Sequence, residues 1–133
     1  MKFYLINENG ANAINIPNTN EDIDKALNFK DGYGSRNYAH IQVSGFSYLA
    51  IVCDMGKPIN LPVSAVPQKI AYTTTKDAIP EPFLVGPTLI GLYDESIGFM
   101  DLLDNDIERL THATVDIPHP NNVNTYKKIL IID

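Results

Sequence analysis

The run Tyr48–Cys53, with the sequence YLAIVC, decides the fold. It carries no charge, is too short for a good helix and has the length of a strand that is covered on both faces. We therefore predict a central strand in which Leu49, Ile51, Val52 and Cys53 are buried. A buried cysteine packs as a small hydrophobic residue and its thiol reacts slowly, so Cys53 should be unreactive in the native state.

The segments around this run also show mainly the two-residue period of strands. Turn signals such as Asn9-Gly10 and Ser44-Gly45 separate them, and the short spacings favour antiparallel hairpins. The predicted strands are Lys2–Asn7, the segment from Tyr38 to Val43, Ile59–Leu61, Lys69–Thr75, a bent strand over Phe83–Tyr93 with Gly86 and Gly91 inside it, Ile97–Leu102 and Tyr126–Ile132.

Two short helices interrupt the strands. The first runs over Thr19–Phe29, with Asn18 and Glu21 spaced as a capping box; the second runs over Asp106–Thr111, with Asn105 and Glu108 in the same spacing. The predicted fold class is α+β, with one curved, mainly antiparallel sheet and two short helices. The 133 residues show no linker or repeat, so residues 1–133 are expected to form a single domain.

Composition excludes several classes of protein. Ten Lys and Arg against sixteen Asp and Glu give a net charge of -6, which argues against nucleic acid as a partner. There is no apolar run of about 18 residues and no signal peptide, so neither a membrane span nor export is expected. The single cysteine, Cys53, suits a reducing compartment and predicts a cytoplasmic protein.

No metal site is predicted from the histidines or the acidic residues. His112 and His119 are seven residues apart, which does not match the spacing of zinc ligands, and His40 is distant from both. An acidic stretch fails the calcium-loop pattern, because it has neither the glycine at the sixth position nor the glutamate at the twelfth. The members of that stretch are Asp94, Glu95, Asp101, Asp104, Asp106 and Glu108.

No catalytic or cofactor-binding residue is predicted either. The glycines of Gly32–Arg36 follow a helix and precede a strand, whereas a phosphate-binding loop has the reverse order. Cys53 with His40 is the only candidate for a nucleophile and its base, and burial of the thiol argues against it. Ser44 and Ser64 lack the Gly-x-Ser-x-Gly pattern of serine hydrolases. We therefore expect no cofactor.

The central segment resembles a family of small uncharacterised phage and mobile-element proteins. The resemblance rests on three features: the Asp-x-Gly-Lys hairpin and Leu-Pro step of Ile51–Pro62, the two spaced glycines of Leu84–Gly91, and the helix start of Leu103–Leu110. The likeness spans about Tyr38 to Leu110, and Ser64 stands where the family often has Asn. The resemblance implies a phage or prophage context and a cytoplasmic accessory role, with no catalytic residues to transfer.

Two functions follow as expectations. The first is a non-enzymatic accessory or regulatory protein that binds another protein, because no catalytic set is present and the β-rich ends suit edge pairing. The alternative is a small-molecule-binding protein or minor enzyme with an aromatic-lined pocket in the curved sheet. Both chain ends are expected to be ordered strands, adjacent to each other. Were Tyr126–Ile132 an edge strand, a second copy could pair with it to form a homodimer.

Overall fold

The computed structural model describes residues 1–27, 36–53, 61–67, 83–117 and 124–133. Within these ranges the chain forms ten strands and two helices. The bounds are β1 Lys2–Asn7, β2 Gly10–Asn15, α1 Asn20–Ala26, β3 Arg36–Val43, β4 Phe46–Cys53, β5 Val63–Val66, β6 Leu84–Val85, β7 Thr88–Asp94, β8 Gly98–Met100, α2 Asp104–Ala113, β9 Thr114–Asp116 and β10 Thr125–Ile131.

The first sheet has six strands and is antiparallel throughout. Its order is β2-β1-β7-β4-β3, and β8 pairs with the far end of β7. Strand β4 lies inside the sheet between β7 and β3, and Leu49, Ile51, Val52 and Cys53 are all less than 9% exposed. The predicted buried central strand is confirmed.

The second sheet has four strands in the order β6-β5-β10-β9. Its only parallel pair is β5 with β10, while β5–β6 and β10–β9 are antiparallel. The α+β class, with mostly antiparallel strands and two short helices, is therefore confirmed. The strands lie in two sheets rather than one, a division that periodicity does not reveal because both sheets have the same period.

The two sheets share one hydrophobic core. Side chains from β1, β4 and β7, among them Tyr4, Tyr48 and Ile90, pack with residues of the second sheet such as Ile129, and with Leu110 of α2. The chain crosses between the sheets at Gly86, which lies between β6 and β7 at a φ of 76°. A side chain there is disfavoured by the φ angle, and a Cβ would lie 2.7 Å from Leu61 Cδ1. The predicted bend over Phe83–Tyr93 is this crossing.

The opposite face of the first sheet packs against α1. Ile23 and Leu27 cover Phe3, Ile51 and Leu89 there.

Beside this cluster the ring of Phe99 lies over Gly91, with a T-shaped contact of 5.4 Å between the centroids of Phe3 and Phe99. A Cβ on Gly91 would lie 2.7–2.9 Å from the two rings, so only glycine fits beneath them.

Neither helix is capped by the residues of its predicted capping box. Helix α1 is capped by the Thr19 hydroxyl, which accepts from the Asp22 N–H, rather than by Asn18 with Glu21. Helix α2 begins two residues earlier than predicted, at Asp104, because the Asp106 carboxylate accepts the N–H of the N-cap residue Leu103. A carboxylate at the third helical position accepts the N–H of the N-cap residue, which is one half of a capping box and does not need a polar side chain at the N-cap. The predicted Asn105–Glu108 box is therefore wrong.

The chain ends are ordered strands, as predicted, but they lie in different sheets. β1 belongs to the first sheet, and β10 lies inside the second between β5 and β9. They are not hydrogen-bonded neighbours, and β10 is not an edge strand, so a homodimer through β10 has no free edge to use.

Several predicted elements lie outside the described residues. They are the end of the first helix at Phe29, the Asp54–Lys57 hairpin, most of Ile59–Leu61 and all of Lys69–Thr75.

Candidate functional site

The tip of the β3–β4 hairpin is held in place by Asp133. Ser44 and Gly45 form the two-residue turn, with φ angles of 50° and 84°. The two oxygens of the Asp133 carboxylate accept the N–H groups of Ser44 and Gly45 at 2.9 and 2.7 Å. This anion fixes the turn from the side of the second sheet, and so it fixes where β4 begins.

Phe46, the first residue of β4, stacks on an arginine of α2. The guanidinium carbon of Arg109 lies 3.4 Å from the centroid of the Phe46 ring. The ring is 52% exposed even though it makes this contact. Cation–π pairs of this kind contribute about 0.5–1 kcal/mol at exposed sites. An exposed aromatic ring is thus fixed over a cation.

A buried polar network below the ring orients the guanidinium. Arg109 Nη1 lies 2.7 Å from the Tyr48 hydroxyl and 3.0 Å from Asp106 Oδ1. The Tyr48 hydroxyl in turn donates to Asp106 Oδ1 at 2.8 Å, and the other oxygen of Asp106 accepts from Leu103 N–H at 2.9 Å. Tyr48 and Asp106 are 3% and 8% exposed.

This network is built for position rather than for proton transfer. Burial raises the pKa of Tyr48 above its ordinary value, although the Arg109 contact acts in the opposite direction. The phenol therefore stays protonated at neutral pH and serves as a fixed donor to Asp106. A general acid or base would need a pKa near the working pH.

Arg109 keeps hydrogen-bond donors beyond these contacts. Among the described residues both of its side-chain hydrogen bonds use Nη1, so Nε and Nη2 are not used by the network. The Arg109 side chain is 19% exposed. We call this surface, formed by Phe46 and Arg109, the Phe46–Arg109 patch.

A cavity of about 360 Å³ opens beside β3 and Asp133. Its lining combines polar and apolar groups: His40, Ile41, Gln42, Ser47, Ile132 and Asp133. It contains a serine, a histidine and an aspartate, but the described structure has no hydrogen bond among these three side chains.

The candidate pair of Cys53 and His40 is not brought together. In the β3–β4 register His40 is opposite Leu49, and Cys53 is opposite Arg36. Cys53 is four positions along β4 from Leu49, which is about 13 Å along the sheet. Cys53 is also buried. The structure therefore does not place His40 within reach of the thiol.

The other candidates found in the sequence have structural contacts instead. In the described part of the chain no group of three His, Cys, Asp or Glu side chains could hold a metal ion. Asp94 accepts the N–H groups of Ser96 and Ile97 in a turn, and Asp101 accepts that of Lys2. His112 lies in the last turn of α2, while His119 lies outside the described residues.

The glycine-rich segment is described only at its last residue. Gly32 to Ser35 lie outside the described residues, and Arg36 begins β3. The Arg36 guanidinium lies 3.0 Å from Asp24 and 2.7 Å from Asn20 Oδ1, both in α1. Arg36 therefore ties β3 to α1.

Sequence reasoning did not select the residues of the Phe46–Arg109 patch. One signal was available: only two of the ten cations are Arg, and Arg109 lies three residues after Asp106 in a short helix. The contact between Phe46 and Arg109 joins residues 63 positions apart, and no periodicity reports it.

Comparison of the chain with models of protein families, with curated proteins and with solved structures gave no match.

Over the described residues, no helix is both long enough and apolar enough to cross a membrane.

Proposed function

We propose that this chain is a non-enzymatic accessory or regulatory protein that acts by binding another protein through the Phe46–Arg109 patch. The observation that carries the proposal is an exposed phenyl ring fixed on a guanidinium, with Tyr48 and Asp106 buried beneath it. Aromatic residues and arginine are enriched where binding energy concentrates in protein interfaces. Rigid support lowers the entropy lost on binding, since these side chains are already ordered.

The patch favours a partner that presents a carboxylate beside an apolar group. The Nε and Nη2 groups of Arg109, which the described network does not use, suit a carboxylate, because a guanidinium can donate two parallel hydrogen bonds to it. The exposed face of Phe46 offers apolar area next to that position. Such a partner supplies an Asp or Glu with a neighbouring aliphatic or aromatic residue.

The cellular setting belongs to the same proposal. A phage or mobile-element context rests on the motif resemblance of Ile51–Pro62, Leu84–Gly91 and Leu103–Leu110. A cytoplasmic location rests on the single, buried Cys53. Genes that neighbour the coding sequence test this context: genes of phage structure, replication or counter-defence agree with it, and a purely metabolic neighbourhood contradicts it.

Affinity capture with matched variants tests the binding proposal. The bait is the full chain, and the variants are Phe46→Ser and Ile97→Ser, the latter at an apolar residue outside the patch that is more exposed than Phe46, 72% against 52%. We expect one protein to be retained by the native chain and by the Ile97 variant, and lost with the Phe46 variant. Equal retention by all three baits, or no retained protein, contradicts the proposal. Circular dichroism of each variant controls for folding.

The cavity beside β3 favours the second candidate, a small-molecule-binding protein. Its volume of about 360 Å³ lies within the range of ligand sites, and His40, Gln42 and Ser47 supply polar groups. Thermal-shift screening against nucleotides and metabolites tests it, since a ligand at about 100 times its Kd stabilises a protein by about 2.7 kcal/mol. A hit should be lost when Ser47→Phe fills the cavity; a library without hits removes this candidate.

A further inference from the structure

Asp133 joins the two sheets at the tip of the β3–β4 hairpin. Its N–H donates to the Gln42 C=O at 2.8 Å, and its two carboxylate oxygens accept the N–H groups of Ser44 and Gly45 at 2.9 and 2.7 Å. The preceding residue is fixed in the second sheet, because Ile132 is 4% exposed and its N–H donates to the last carbonyl of β5 at 2.9 Å. Asp133 thus makes three hydrogen bonds to the hairpin from a fixed support.

The turn needs this support because its sequence does not favour its conformation. Ser44 and Gly45 have φ angles of 50° and 84°, and a positive φ at both central residues is the pattern of a type I′ turn. Such turns favour Asn-Gly, Asp-Gly or Gly-Gly, and Ser-Gly is not among these pairs. Among the described residues Ser44 is the only non-glycine with a positive φ. Successive N–H groups in a turn form a concave site for an anion, and the Asp133 carboxylate occupies it.

The tip of the hairpin in turn sets the position of Phe46. Within the described sheet β4 pairs with β7 only over Leu49–Ile51, so the strand from Phe46 to Tyr48 pairs with β3 alone. Phe46 follows the turn directly and is 52% exposed, so its ring is only half covered. The ring stacks on Arg109, whose guanidinium carbon lies 3.4 Å from its centroid. A change in the turn would therefore move the ring relative to the guanidinium.

We propose that Asp133 is a positioning residue of the Phe46–Arg109 patch. Its carboxylate holds the Ser44–Gly45 turn in the conformation that places the Phe46 ring on Arg109, and it couples the second sheet to the patch. The part of this inference that concerns affinity for a partner rests on the proposed function, whereas the part that concerns the position of the ring does not. Asp133 needs no contact with the partner to act in this way.

A variant without the carboxylate tests the position of the ring. Asp133→Ala removes both carboxylate bonds and leaves the backbone bond to β3 in place. Because an aromatic ring shields protons that lie over its face, the NMR resonance of the Arg109 Nε–H reports whether the stack is formed. We expect this resonance in Asp133→Ala to move toward its position in Phe46→Ser, which has no ring. Asp116→Ala removes an exposed carboxylate of β9, in the same sheet, and should leave the resonance at its native position.

A second substitution separates positioning from a general loss of stability. Ser44→Asn introduces an Asn-Gly pair, which favours the type I′ turn without an anion. Added to Asp133→Ala, it should return the Arg109 resonance toward its native position although the carboxylate is still missing. A protein weakened only in its overall stability would not recover in this way.

Affinity for the protein retained in the capture experiment supplies the second measurement. We expect Asp133→Ala to raise the Kd by about two- to twelvefold, which is the cost of ordering one more side chain on binding. The double variant with Ser44→Asn should recover most of this loss, and Asp116→Ala should bind as the native chain does.

The outcomes separate this inference from the proposed function. An Arg109 resonance that stays at its native position in Asp133→Ala overturns the inference, whether or not a partner is found. So does a shift that Ser44→Asn does not reverse, or an unchanged Kd beside a shifted resonance. A native chain that retains no protein contradicts the proposed function alone, since the resonance still decides the role of Asp133. Because Asp133 and Ser44 are exposed, far-UV circular dichroism should show unchanged folding in every variant.

Discussion

Replacing Asp106 by alanine should destabilise the protein far more than the same replacement at any other acidic residue of α2. Asp106 is 8% exposed and accepts from three donors: the Leu103 N–H, the Tyr48 hydroxyl and the Arg109 guanidinium. Alanine removes all three bonds together. It leaves a buried phenol without its carboxylate acceptor and Arg109, whose side chain is 19% exposed, without its counter-ion.

The expected loss is about 3 kcal/mol of the free energy of unfolding. The lost cap on Leu103 contributes about 1 kcal/mol, and a hydrogen bond to a charged acceptor contributes about 1.5–3 kcal/mol. The contributions overlap because the three donors share one carboxylate, so we do not add them in full. For a chain of 133 residues this loss corresponds to a decrease in Tm of about 10 °C.

Urea unfolding followed by circular dichroism measures this loss, with Asp104→Ala as the matched control. Asp104 is exposed in the first turn of the same helix, so its removal should cost only the interaction with the helix dipole, about 0.3–1 kcal/mol. Should the two variants fall within about 0.5 kcal/mol of each other, the buried network does not stabilise the fold as reasoned here.

Four further outcomes are expected. Gly91→Ala should lower the free energy of unfolding by about 1–3 kcal/mol, measured by calorimetry, since its Cβ would overlap the Phe99 ring. The loss should be smaller when Phe99→Leu is also present, and equal losses with and without Phe99→Leu contradict the contact. Burial, reinforced by a nearby carboxylate, raises the pKa of Tyr126 to about 12, so folded stability should fall as pH rises from about 10 to about 12. The free energy of unfolding of Tyr126→Phe, measured by urea titration, should fall less than that of the native chain between pH of about 8 and about 11. An identical decline in the two proteins would refute this. Deleting residues 129–133 removes three side chains that are at most 4% exposed, each contributing about 1.5–3 kcal/mol, and should abolish cooperative thermal unfolding; an unchanged Tm would show a dispensable tail. Cys53, 8% exposed, should react with a thiol reagent only after denaturant is added, and rapid native labelling would place β4 at the periphery.

Local pattern was sufficient for the type of most described elements. The uncharged run Tyr48–Cys53 predicted a strand covered on both faces, and β4 is that strand. The sequence pattern could not assign strands to sheets. Strands β6 and β7 lie on either side of Gly86 and belong to different sheets, and only the strands that pair with each of them show this. The pattern also placed the start of α2 too late, since the Asp106 carboxylate satisfies the backbone there without a polar N-cap.

The candidate site was not predictable in the same way. Tyr48 belongs to an apolar run, so the sequence pattern indicates a core residue. Asp106 is one of several carboxylates near the start of a helix, and the pattern does not distinguish it from the others. The hydrogen bond between Tyr48 and Asp106 joins residues 58 positions apart, and it forms only because α2 packs across β4. The separation of His40 and Cys53 follows only from the strand register, which places Cys53 four positions along β4 from the residue opposite His40.

The place of β10 inside the second sheet determines when that sheet can exist during synthesis. Among the described strands, β5 and β9 are not paired with each other and are joined only through β10, which follows both of them in the chain. Until β10 has been synthesised, the apolar surfaces of β5 and β6 have no complete sheet to join. We expect the second sheet to assemble only once β10 is present, as a late, non-local step in folding.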